Sequence, residues 1–310
     1  MSEFCPFAGM LLQLGPVLCQ FMPHPLFLED QNEAFVVEGG ESLLYQVRDV
    51  RSGVLCALKV MKPAYQCEHI AAVADALTRC RDVPGLYLGR RICLSKLFYP
   101  ELIAEYPALE YAVLMPWIDG QTWAGLMCDP AASARYTADH ARTLALATAQ
   151  VLWELETHHF AHTDIAGGNI ILSPDYRQVQ LLDIEGMYIA GIPAPKKYSL
   201  GTPGYQHRCL DKRGQWRPEG DRFAAAILLT EMLTWWEPYV RAQTPDEAET
   251  LFQPQELQVM KTPRWHIIRD TLWTICPDAL PLFDQAWISR NLAECPDMAT
   301  WAMCLIAAFK

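Results

Sequence analysis

The sequence predicts an α+β protein: a small antiparallel β-sheet with one helix, followed by a larger helical region. Three observations carry that expectation. Residues 34–62 hold three short apolar runs separated by turn residues. Residues 68–81 repeat apolar side chains at helical spacing, and from Asp119 onward the pattern is helical almost to the end.

Taken in order, the apolar stretches Met10–Leu14 and Leu26–Leu28 are expected to pack on the sheet region. The run Met10–Met22 makes a poor secretion signal: no Lys or Arg precedes Arg48, and Gly15, Pro16 and Gln20 interrupt it. Phe35-Val36-Val37, a Gly39-Gly40 turn, residues 43–47, a turn at Arg51-Ser52-Gly53 and residues 54–61 read as a three-stranded meander. The helix expected at 68–81 puts Ile70, Val73, Leu77 and Cys80 on one face, and Pro84-Gly85 stops it. Two apolar segments follow, near 86–94 and 110–115. Region 1–115 should give way to 121–310 across residues 116–120. Residues 137–159 form a helix with Leu144, Ala147, Val151, Leu152 and Leu155 on its apolar side, leading straight to His162. Residues 169–172 and 179–182 are short strands around Ser173-Pro174-Asp175, and 222–236 is apolar almost all round, hence a buried helix. The last 60 residues are helical pieces broken by Pro277, Pro281 and Pro296.

Composition narrows the function. The chain has 310 residues, 51% hydrophobic and 20% charged, which excludes a disordered polyelectrolyte. A net charge of −11 argues against a broad basic surface, and so against non-specific binding to nucleic acid or membrane. No uninterrupted apolar stretch reaches the roughly 18 residues of a membrane span. Eleven cysteines without a CxxC pair fit a reducing, cytoplasmic setting better than a disulfide framework or zinc ribbon. His158 and His162 have ligand-like spacing with His159 beside them, but no further ligand set completes a metal site.

The residues with chemistry are Asp164 and Asn169, five apart in His162-Thr163-Asp164-Ile165-Ala166-Gly167-Gly168-Asn169, and Asp183 in Leu181-Leu182-Asp183-Ile184-Glu185-Gly186. Phosphoryl transfer from a nucleotide needs one carboxylate to orient the attacking hydroxyl. It also needs an amide oxygen and a second carboxylate to hold magnesium against the phosphates. Upstream, Lys59 lies in the apolar strand Cys56-Ala57-Leu58-Lys59, one strand after the glycine turn. An ammonium beneath a flexible backbone loop is one way to hold phosphate; a lysine in a strand can equally snorkel to water. Asp221, at the start of the apolar helix, reads alone as an ordinary helix cap.

In their order and spacing these segments resemble the protein kinases of eukaryotic and bacterial Ser/Thr type, over nearly the whole chain. Residues 56–59 are similar to the family's VAIK strand, 162–169 to its catalytic loop, 183–186 to its DFG element and Gly201-Thr202-Pro203-Gly204-Tyr205 to the end of its activation segment. Asp221 through Glu231-Met232-Leu233 resembles the helix whose first aspartate supports the catalytic loop. The resemblance implies a bilobal kinase fold: an N-terminal sheet lobe at 1–115, a hinge at 116–120 and a helical lobe at 121–310. It implies ATP and magnesium as cofactors and a protein Ser/Thr hydroxyl as acceptor. Lys59 would contact the α- and β-phosphates, Asp164 would take or orient the hydroxyl proton, and Asn169 and Asp183 would bind magnesium. Gly39 and Gly40 would form the phosphate loop. Leu44 and Ala57 would cover adenine, Ile171 would lie below it, and Met115, Pro116 and Ile118 would form the hinge edge. Met115-Pro116-Trp117 and Asp-Ile-Glu-Gly also resemble a bacterial subgroup whose genes often sit beside a phosphatase and a von Willebrand factor A protein, which suggests those two as partners.

Several positions depart from the family pattern. Val37 and Ser42 replace two loop glycines. Thr163 stands in place of an arginine that pairs with a phosphorylated loop, so activity is expected without phosphorylation between residues 186 and 203, with Thr202 a structural hydroxyl near Asp164. Ala166 replaces a lysine that would neutralise phosphate, and Gly168 supplies no cation either. Glu185 is an extra residue, a second magnesium ligand or a solvent-facing side chain. Glu68 and Asp75 are the two acids that could pair with Lys59. Arg208 stands where a glutamate is usual and Cys295 where its arginine partner is usual, so Glu294 is expected to pair with Arg208. The alternatives are a pseudokinase serving as a nucleotide-binding scaffold, and a small-molecule kinase.

Overall fold

The computed structural model describes residues 4–25, 32–195, 197–244, 249–259 and 261–309. The apolar stretch at 26–28 lies outside them. The protein is α+β, with a curled antiparallel half-barrel sheet and, among the described residues, ten α-helices. It divides into two compact units. One comprises Met1–Asp82 and Tyr87–Ile118, the other Val83–Leu86 and Asp119–Lys310.

The first unit holds β1 (Leu11–Leu14), β2 (Val17–Phe21), β3 (Val36–Glu38), β4 (Ser42–Asp49), β5 (Leu55–Met61), α1 (Glu68–Leu77), β6 (Ile92–Cys93), α2 (Pro100–Glu105) and β7 (Val113–Pro116). The strand order is β1-β2-β4-β5-β7-β6, with β3 also paired to β4. The β3–β4–β5 meander is antiparallel throughout, and β5 lies between β4 and β7. β5 is apolar with little alternation because both of its faces are covered: its last five residues, which point alternately to the two faces, are all buried.

The N-terminal apolar run does more than pack on the sheet. It is a β-hairpin that extends it, turning at Gly15 with φ +61, a conformation open to glycine. Alternate residues of the hairpin, Leu14, Cys19 and Phe21, enter a core with Phe4, Tyr45, Val47, Leu58, Val60 and Leu114. In α1 the apolar face is as expected, with Ile70, Val73, Leu77 and Cys80 all buried. The α-helix stops at Leu77, however, and a 3₁₀ turn, Thr78–Cys80, finishes it.

The second unit begins with β8 (Gln121–Thr122), α3 (Trp123–Cys128), α4 (Pro130–Arg135), α5 (Ala138–Thr157) and β9 (Phe160–Ala161). It continues through β10 (Ile170–Leu172), β11 (Val179–Leu181), β12 (Tyr188–Ile189), α6 (Arg222–Thr234) and α7 (Pro238–Ala242). It ends with α8 (Pro263–Ile275), α9 (Leu280–Ile288) and α10 (Met298–Ala308). Thr137 and His140 close α5 with a reciprocal capping box. Every residue of α6 after Arg222 is buried, because α5, α8 and α9 all pack on it. Pro281 does not break a helix; it sits in the first turn of α9, where a missing N–H costs nothing. Among the described residues no helix is long and apolar enough to cross a membrane.

One expected ion pair is absent. Arg208 does not pair with Glu294; its guanidinium donates to the carbonyls of Trp287 (2.5 Å) and Ser289 (2.8 Å), at the C-terminal end of α9. Those carbonyls lack helical partners and carry the negative end of the helix dipole, so they replace a carboxylate. Glu294 pairs instead with Arg290 at 2.9 Å.

Candidate functional site

The loop 162–169 runs from β9, which pairs with β12, to β10, which pairs with β11. Its start is fixed from below. The N–H groups of His162 and Thr163 donate to the two oxygens of Asp221, at 2.6 and 2.7 Å. Asp221 precedes α6 but does not cap it, and its side chain accepts nothing from that helix. The ordinary-cap reading therefore fails: the carboxylate serves the loop. Burial pushes the Asp221 carboxyl up, and His162 and the two N–H bonds oppose that.

Asp164, Asn169 and Asp183 come together at the top of this loop. Asn169 donates its side-chain amide to the Asp164 carbonyl at 2.8 Å. Only nitrogen can face a carbonyl, so the Asn169 amide oxygen points the other way as an acceptor. The Leu182 N–H donates to the Asn169 carbonyl at 2.9 Å, and the His162 ring bonds the Leu182 carbonyl at 2.5 Å. Asp183 follows directly and is exposed. Asp164 is half-buried, and one of its carboxylate oxygens accepts the Thr202 hydroxyl at 2.9 Å. Thr202 is thus bonded as expected, within the segment 201–205.

Two residues here hold a left-handed backbone, Thr163 at φ +69 and Asp183 at φ +52. Aspartate tolerates that region; a β-branched threonine does so only at a cost. The Asp221 bond, and the Thr163 hydroxyl donated to the Gly186 carbonyl at 3.2 Å, hold Thr163 there. Glu185 is not solvent-facing. It is 7% exposed, because the 3₁₀ turn Ile184–Gly186 carries both Ile184 and Glu185 inward.

The other candidates lie in the first unit. Lys59 is opposite Leu44 on β4 and Val113 on β7, and Ala57 is opposite Met115. Residues two apart on a strand share a face, so Leu44, Ala57, Lys59 and Met115 all lie on one face of the sheet. The opposite face, with Tyr45, Leu58, Val60 and Leu114, belongs to the apolar core. Lys59 is buried at 8% exposure. Glu68 and Asp75 are both exposed on α1. Pro116 pairs with Cys56 at the end of β7, and Ile118 beyond it is half-buried. Gly39 and Gly40 are exposed, and the Gly39 N–H closes the β3–β4 turn on the Ser42 carbonyl at 2.9 Å. A side chain at Gly40 would meet open space, so its glycine is not required by packing. Ile171, in the second unit, is half-buried on β10 between β8 and β11.

Sequence reasoning gave no role to Glu231, the one acid in the apolar stretch of α6. It is fully buried and collects three donors: the Tyr205 hydroxyl (2.6 Å), the Leu251 N–H (2.6 Å) and the Trp123 indole (3.2 Å). It thereby ties the 201–205 segment to α6 and α3. Burial pushes its carboxyl up to about 7 despite those bonds. The unfolded value is 4.5, so the folded state holds an extra proton between the two. Its contribution to stability is then complete below 4.5 and is lost as pH rises toward about 7. A loss of up to about 3 kcal/mol is expected, read from denaturation midpoints across that window. Glu231→Gln should flatten this component of the pH profile, at a fixed cost, because the amide leaves one of the three donors facing an N–H₂. A profile unchanged by the substitution would remove Glu231 as its source.

A groove of about 430 Å³ lined by Pro84, Gly85, Val151, Trp153 and Arg177 contains none of these residues. No protein-family model matches the chain, and a comparison with curated proteins gives no match either.

Proposed function

We propose that the protein is an ATP- and magnesium-dependent protein kinase, of the bilobal kinase type, that phosphorylates Ser or Thr. The observation that carries this reading is the seating of residues 162–163 on Asp221, which delivers Asp164, Asn169 and Asp183 to one place. Asp164 accepts or orients the proton of the attacking hydroxyl. Its bond from Thr202 fixes one carboxylate oxygen and leaves the other as acceptor. Lys59, a buried lysine on an otherwise apolar strand, serves the phosphates.

The residues fit magnesium. The Asn169 amide oxygen is turned away from the Asp164 carbonyl, and Asp183 is an exposed carboxylate one residue beyond the Asn169–Leu182 bond. Among the described residues no group of three or more His, Cys, Asp or Glu stands ready for a metal. That suits an ion held by one or two protein ligands together with phosphate oxygens. The chemistry magnesium supplies when bound is neutralisation of phosphate charge.

One observation favours a second reading, a nucleotide-binding scaffold with little transfer. Ala166 is buried and Gly168 has no side chain, so neither gives the loop a cation for the transferred group.

Magnesium with ATP is expected to stabilise the wild type by about 3 kcal/mol at a hundredfold excess over Kd, seen as a thermal shift. Asp183→Asn should remove the magnesium-dependent part. Asparagine is the right probe because, like aspartate, it tolerates the left-handed backbone at this position. The absence of any wild-type shift with magnesium and nucleotide would count against both readings.

A further inference from the structure

We propose that the turn carrying Lys212 and Arg213, together with Lys197, is a docking surface for acidic residues beside the target hydroxyl, which makes acidic peptides the substrate class. The assignment rests on the reading above in one respect only, that Asp164 receives the hydroxyl.

The first observation is a local reversal of charge. Between Pro193 and Arg217 the sequence places Lys196, Lys197, Arg208, Lys212, Arg213 and Arg217 against the single acid Asp211, in a chain of net charge −11. The second is how these charges are used. Asp211 is held by the Arg217 guanidinium and by the Arg213 backbone N–H at 2.8 Å. Arg208 is occupied with the carbonyls at the end of α9. The Lys212 and Arg213 side chains are exposed and form no salt bridge among the described residues; Lys197 is also exposed.

The third observation is position. The turn of Lys212 and Arg213 is bonded to the segment that reaches Asp164. The Gln215 N–H donates to the Ser199 carbonyl at 3.1 Å, and the Trp216 ring packs on Tyr198 with centroids 5.7 Å apart. The Gln206 amide holds the Gly201 carbonyl at 2.5 Å. Thr202 then bonds Asp164 at 2.9 Å. A peptide whose hydroxyl meets Asp164 therefore passes its neighbouring residues over a surface of exposed cations. Carboxylates complement that surface, whereas a cationic peptide would be repelled. A few cations suit a few carboxylates; the rest of the chain, being strongly acidic, repels an extended nucleic acid.

The test uses the full chain and three labelled peptides with one central Ser or Thr, flanked by Glu, Gln or Lys. Binding is followed by fluorescence polarisation and transfer with labelled ATP. The Glu peptide should bind about tenfold more tightly than the Gln peptide, the sum of two or three exposed ion pairs. Raising salt to about 0.5 M should erase that margin. The double variant Lys212→Glu/Arg213→Glu, folded as judged by its thermal midpoint, should lose the margin and prefer the Lys peptide. Equal binding of Glu and Gln peptides, a margin that survives the double variant, or tighter binding of a single-stranded oligonucleotide than of the Glu peptide would each overturn the proposal. A charge-dependent preference in binding without transfer upholds the docking surface and removes the kinase reading. Transfer without acidic preference does the reverse.

Discussion

Asp164→Asn should lower autophosphorylation by about 10²–10⁴-fold, the range for removing a general base, while leaving the fold intact. The substitution is nearly isosteric. The asparagine amide oxygen still accepts from the Thr202 hydroxyl, and the backbone carbonyl at 164 keeps its bond from Asn169. What disappears is the negative charge that draws the proton from an attacking hydroxyl. Label incorporation from ATP and the thermal midpoint, measured on the same preparation, separate chemistry from stability. A rate within a fewfold of wild type would show that Asp164 does not handle the proton, and the kinase reading would fall. Loss of both rate and midpoint would show that the side chain mainly holds Thr202 and its segment in place.

The sheet was legible because strands of period two were separated by strong turn signals, and because β5, buried on both faces, reads as a continuous apolar run. The β1–β2 hairpin was not, although its signal was present. Gly15-Pro16 is a turn dipeptide, but between two apolar runs it looks equally like an interruption of one. Asp164, Asn169 and Asp183 could be chosen from spacing because they lie close in sequence. That Asp221 holds His162 and Thr163 could be anticipated only by resemblance, since the bond spans more than 50 residues and an aspartate before a helix has a simpler reading.

Where charge counting replaced geometry, the expectations failed. Arg208 found helix-terminal carbonyls, which no count of acids reveals. Of the two readings open for Glu185, magnesium ligand or solvent-facing side chain, the second fails, because one 3₁₀ turn is enough to bury it. Glu231 was visible as an acid in an apolar helix, but the donors that make it tolerable come from three other segments.

The largest stability effect should come from Asp221→Ala. The side chain sits at 6% exposure and satisfies two backbone N–H groups that have no helix or sheet partner to turn to. Removing it orphans both, at about 1–3 kcal/mol each. Relief of the buried carboxyl offsets part of this, since burial already pushes that group up. A net loss of about 2–4 kcal/mol is expected in denaturant unfolding. Transfer should fall further than stability alone explains, by roughly 10²-fold under folding conditions, because Thr163 would relax from φ +69 and carry Asp164 with it. Asp221→Asn gives the discriminating comparison. Its single carbonyl oxygen can serve one N–H, but its amide repels the other, so it should lie between wild type and alanine in stability while remaining close to alanine in rate. If alanine instead matched wild type in both, the loop would be held by its own turns, and Asp221 would be an ordinary buried acid at the head of α6.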